Sequence, residues 1–167
     1  MGETREPEGL NAEQLAAYFA LMEVSSLLRH AVEGHLRAEG GLSYVQFEIL
    51  ARLANAPSGR QRMTDLADGI VYSRSGLTYQ AGLLEKAGLI TREPSVDDER
   101  STTVAITAAG RELVARVLPG HVRLVRRMFL EPLDRRDTAV LTRLLQRVRD
   151  RMRAAPPRSA APRSRRT

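Results

Sequence analysis

Residues 63–110 read MTDLADGIVYSRSGLTYQAGLLEKAGLITREPSVDDERSTTVAITAAG, and the order of signals along them decides the fold. Thr64 is placed to cap a short helix reaching about Gly69, after which Val71-Tyr72 make a tight turn. Ser73 can cap the helix that follows. In that helix Leu77, Ala81, Leu84 and Gly88 recur at steps of four, three and four, one continuous face that must pack inward. Arg74, Ser75, Thr78, Tyr79 and Gln80 are left outside, near the helix start. Residues 89–93 and 102–106 are rich in Thr, Ile and Val and read as two short strands. The loop between them carries Pro94, Ser95 and the cluster Asp97-Asp98-Glu99-Arg100, and Thr107 caps a further long helix.

Helix, turn, helix and two-stranded ribbon, in that order, predict a winged helix-turn-helix, a module that lays the N-terminal half of its second helix in a DNA major groove. Small hydrogen-bonding side chains suit that position. The acidic loop would be repelled by phosphates, so its composition needs a physical account. In one, a carboxylate holds Arg100 extended and only the guanidinium tip reaches the minor groove. A solvated turn that touches nothing is the other reading of the same residues.

Outward from this stretch the chain is helical. Ser43 and Gln46 form a capping box, with Leu42 and Phe47 at the flanking apolar positions, and Phe47, Leu50 and Leu53 give the helix its stripe. Asn55 to Gly59 end it, and Arg60-Gln61-Arg62 read as a basic turn. Before it, Asn11 caps a long helix to about Ala38, with Leu15, Tyr18, Phe19, Met22, Leu28, Val32 and Leu36 at three- and four-residue steps; Glu39-Gly40-Gly41 stop it. After Thr107 a helix runs to about Phe129, carrying Leu113, Val117, Leu124 and Met128, and Pro119-Gly120 predict a kink or break in it. Pro132 ends that element. Asp134 opens a last helix striped with Val140, Leu141, Leu144, Leu145, Val148 and Met152.

Together these signals predict a mainly α fold with a small β-wing (α+β): residues 42–107 as a DNA-binding lobe, flanked by the helical regions 11–41 and 108–153. Residues 1–10 read as a flexible leader, and 154–167 as a disordered Arg-rich tail too poor in apolar residues to bury a core. The tail either adds phosphate contacts or is a solvated end.

Composition narrows the function classes. At 167 residues with 43% hydrophobic content the chain can bury a real core. No run of about twenty apolar residues implies a membrane span, and the first residues do not resemble a secretory signal, which leaves the cytoplasm as the default expectation. There is no cysteine, so disulfides, thiolate metal sites and cysteine redox switches are excluded. The net charge is +6, and Arg151, Arg153, Arg158, Arg163, Arg165 and Arg166 supply all of it, so residues 1–150 are formally neutral. Any DNA surface on the folded part must come from local clustering. His30, His35 and His121 show no metal-site spacing, and no nucleophile motif, phosphate loop or paired-carboxylate pattern accompanies them. No catalytic residue, metal or cofactor is expected.

The chain resembles the MarR family of bacterial transcriptional regulators. The resemblance rests on LSYVQFEILARL at 42–53, Leu66-Ala67, SRSGLT at 73–78, LEKAGLITR at 84–92, DDERS at 97–101 and ITAAGREL at 106–113. It implies a homodimer in which helices from both chain ends, residues 11–41 and 108–153, form the helical dimerisation region, bound to a palindromic double-stranded operator, most often as a repressor. It places Ser73 to Tyr79 in the major groove and Arg100 in the minor groove, with Asp98 bracing it; Thr64, Gln80 and Ser101 complete the expected DNA-contact set. The family often carries a basic residue where Tyr79 stands and a charged one where Leu83 stands. Many relatives respond to small aromatic or amphipathic ligands, for which Tyr18, Met22, Ser26, His30 and Phe47 are the candidate lining here; plain helix packing is their other reading. A rival to the whole reading is an architectural or protein-contact winged helix without effector response.

Overall fold

The computed structural model describes residues 9–70, 73–94 and 102–154. The first helix, α1 (Ala12–Gly40), opens on a reciprocal cap: the Asn11 side chain accepts the Gln14 N–H at 2.9 Å, and the Gln14 side chain accepts the Asn11 N–H at 3.0 Å. At 29 residues α1 is about 44 Å long. Its first half is exposed throughout, and burial begins only near Leu28, with Val32 and Leu36 in the core. Gly41 ends it, and Ser43 starts α2 (Tyr44–Asn55) with the expected capping box to Gln46.

α2 is the centre of the core. Phe47, Ile49, Leu50 and Leu53 are all buried, on more than one face, because other helices and the sheet surround it. Residues read as a basic turn form instead a strand, β1 (Arg60–Arg62). It pairs antiparallel with β3 (Thr102–Ile106), Gln61 opposite Val104, and β2 (Ile90–Pro94) lies on the other side of β3. Three polar residues carry no strand pattern of their own; the open edge of β3 makes them one.

α3 (Met63–Ile70) follows β1 directly. Thr64 therefore lies inside the helix and is not its cap, since half-buried Met63, packed on the core, is already helical. α4 (Arg74–Lys86) starts at Ser73, whose Oγ accepts the Gly76 N–H at 3.2 Å, and Leu77, Ala81 and Leu84 are fully buried. Gly88 does not continue that face. It is exposed at φ 70 beyond the helix end, where the Gly88 N–H reaches the Glu85 carbonyl and the Leu89 N–H the Leu84 carbonyl, a left-handed stop that favours glycine.

Thr107 joins the wing to α5 (Ala108–Val125): its Oγ1 accepts the Gly110 N–H at 3.1 Å and donates to the Gly88 carbonyl at 2.8 Å. The break expected at Pro119-Gly120 does not occur, and α5 runs through it. α1 lies against α5 there, so close that a Cβ on Gly120 would stand 2.4 Å from His35 Cε1, and this packing supports the helix across the missing proline N–H. The irregularity falls later, in a π-helical turn at Arg126–Leu130 closed by the Glu131 N–H on the Arg126 carbonyl. α6 (Arg135–Arg153) is capped by Asp134 and buries none of its residues in the single chain. Among the described residues, no helix is long and apolar enough to cross a membrane.

Candidate nucleic-acid interface

The N-terminal half of α4 is the presented surface. With Leu77, Ala81 and Leu84 inward, helical periodicity turns Ser75 and Tyr79 outward and Thr78 to the flank, while Ser73 and Arg74 are exposed because the helix starts there; Tyr79 is 65% accessible. Thr78 Oγ1 donates to the Arg74 carbonyl at 2.8 Å, which leaves its methyl and oxygen lone pairs outward. Ser73 Oγ is occupied as an acceptor by the cap but keeps its proton to donate. Gln80 is half-buried, and its buried Oε1 has no hydrogen-bond partner among the described residues. Thr64 is half-buried on α3 and lies 3.4 Å from Asp65 Oδ1.

Side chains that the sequence did not single out hold this surface in place. Arg92 on β2 gives both Nε and Nη2 to Glu85 Oε2, at 2.8 and 2.5 Å, tying the last turns of α4 to the wing. That hydrogen bonding holds the Glu85 carboxyl below the usual carboxylate range. Arg60 Nη2 reaches Glu93 Oε2 at 2.8 Å across the intervening strand. At the other end, Arg52 of α2 donates to the Gly69 carbonyl at the close of α3. Only contacts between separate elements reveal these residues, and spacing along one element does not. Asp98, Arg100 and Ser101 lie outside the described residues, as does the Val71-Tyr72 turn.

A cleft of about 540 Å³ opens beside α2, lined by Tyr44, Phe47, Glu48, Arg52, Gln61 and His121 among others. Phe47 and His121 face each other with ring centroids 4.9 Å apart, and His121 Nδ1 is buried with no partner among the described residues. Burial, helped by nearby His35, pushes the His121 pKa down; burial pushes that of Glu48 up, against the pull of Arg52 and Arg29. Of the five residues expected to line a ligand site, only Phe47 is in this wall. Tyr18, Met22, Ser26 and His30 sit on exposed turns of α1, away from it. Tyr44, Glu48 and Arg52 carry no site signal along α2, and His121, weighed in the sequence only as a metal ligand, meets them because α5 packs on α2 in the fold.

A helix pair with an exposed second helix, backed by a three-stranded wing, defines a winged-helix DNA-binding protein. The sequence pattern of the MarR family matches residues 40–101. The chain is 30% identical over 141 residues to the HTH-type transcriptional regulator PecS of Dickeya dadantii (strain 3937), covering 83% of each. It is 29% identical over 112 residues to the HTH-type transcriptional repressor YetL of Bacillus subtilis (strain 168), 67% of this chain and 66% of that one. Among solved structures, Sco3205, a MarR family transcriptional regulator of Streptomyces coelicolor in complex with DNA, superposes with a TM-score of 0.83 at 31% identity, covering 88% of this chain and 92% of that one. The chain belongs to the MarR family. It is a DNA-binding transcriptional regulator, and its relatives are regulators rather than enzymes.

Proposed function

We propose that the protein is a homodimeric repressor that reads a two-fold symmetric operator and is released from it by a small amphipathic ligand. The observation that carries the dimer is the state of α1 and α6 in a single chain. Along α1, Leu15, Tyr18, Phe19 and Met22 are exposed, and along α6 so are Val140, Leu144, Leu145 and Val148. Apolar stripes of this length belong under a partner, and a second copy supplies the same stripes in return. Residues 11–41 and 108–153 are then the dimerisation region, and 42–107 the DNA-binding lobe.

In this reading Ser73, Arg74, Ser75, Thr78 and Tyr79 enter the major groove, with Thr64 and Gln80 at its margin. Arg100, braced by Asp98, and Ser101 serve the wing. Repression rests on the relation to YetL, which is named a repressor. The ligand's place is the cleft beside α2, where the Phe47 and His121 rings, in contact with each other, form one wall against which an apolar group can lie.

Selection from random duplexes tests the DNA half. One two-fold symmetric sequence, bound with steep salt dependence, is the expected outcome. Equal affinity for every duplex would favour the architectural role. A reporter placed behind the selected site should fall silent with the protein present; increased output would make the protein an activator.

A further inference from the structure

Two guanidinium groups, one from α2 and one from the end of α6, converge on one carbonyl. Arg52 Nη2 donates to the Gly69 oxygen at 2.6 Å, and Arg153 Nη2, from the last residue of α6, stands 3.3 Å from the same atom. Gly69 lies in the last turn of α3, where the carbonyls carry the negative end of the helix dipole and charged donors bind well. It is also four residues before Ser73, the cap of the presented helix. The residue type fits the contact: a Cβ at Gly69 would stand 2.8 Å from Arg52 Nη1 and 3.2 Å from Cζ. A residue without a side chain lets the guanidinium lie against the backbone. Next to it Ile70 is buried, so apolar packing and the arginine hold the end of α3 together.

We propose that Arg52 is a positioning residue for DNA recognition. Acting through the Gly69 carbonyl, with Arg153 as a second donor, it fixes the end of α3 and thereby the angle at which α4 meets the groove. Its role is indirect: the guanidinium is engaged with backbone and makes no phosphate contact. This rests on DNA binding alone and stands whether or not a ligand exists.

The test uses the full chain, a duplex selected by the wild-type protein, and the variants Arg52→Met, Arg52→Lys and Gly69→Ala. Alanine is the better helix former by up to about 1 kcal/mol, so in Gly69→Ala the gain in propensity offsets part of the bond lost when the methyl displaces the guanidinium. Arg52→Met and Gly69→Ala should each bind about tenfold more weakly, the loss of a charge-assisted hydrogen bond, with Arg52→Lys in between. The slope of log Kd against log salt should stay at the wild-type value, and Gly69→Ala should remain folded, melting within about 5 °C of wild type. Wild-type affinity in Gly69→Ala would overturn the proposal. So would a slope shallower by about one in Arg52→Met, which would make Arg52 a phosphate contact.

Discussion

At position 121 an imidazole lies against Phe47 with its Nδ1 buried and unpartnered among the described residues, and burial with nearby His35 lowers its pKa. The folded chain therefore takes up this proton less readily than the unfolded chain. Stability from this group is complete above the unfolded value of 6.5 and is lost as pH falls through the lower folded value. Glu48, in the same cleft, has the opposite sign: its raised pKa means that ionisation costs stability at neutral pH, and acid relieves the cost. His121→Phe keeps the ring contact and removes the titration. Its melting temperature should drop less than that of wild type between about pH 7.5 and about pH 5.5; an equal drop would assign the loss to another group. Tyr79, exposed and unburdened by packing, tests the other face of the residue scale. Tyr79→Ala should weaken operator binding by about 1 kcal/mol with an unchanged melting temperature, and a lowered melting temperature would place it in the core instead.

Elements whose ends are fixed locally are the ones that sequence predicts well. Asn11, Ser43, Ser73, Thr107 and Asp134 each accept a backbone N–H three residues ahead, and all five helices begin where those caps stand. Ser43→Ala should cost about 1 kcal/mol of stability, measured by denaturant unfolding. Leu77→Ala, which empties a fully buried site under α4, should cost about 2–5 kcal/mol and weaken DNA binding with it. Where the fold departs from the sequence reading, a distant partner decides. β1 exists because β3 offers an edge, α5 survives Pro119 because α1 lies against it, and Met63 packing on the core draws Thr64 into α3. The same division runs through the interface. Ser75, Thr78 and Tyr79 follow from the 3.6-residue period of one helix and Arg74 from its place at the helix start, whereas the Arg52 contact to Gly69 and the meeting of Phe47 with His121 join separate helices.

For the whole molecule, charge and apolar surface lead to one account. Residues 1–150 are formally neutral, so specific DNA binding depends on a few placed groups, which the proposed dimer presents twice. α6 contributes nothing buried to its own chain, and its apolar stripe is available to a second copy. Leu144→Asp combined with Val148→Asp, both exposed in the single chain, should leave the lobe folded yet separate the subunits and weaken operator binding by about a hundredfold or more, as bivalent contact is lost. Sedimentation equilibrium of the wild-type chain at micromolar concentration tests the central claim most directly. The account predicts twice the 18.5 kDa chain mass; a single-chain mass would contradict it.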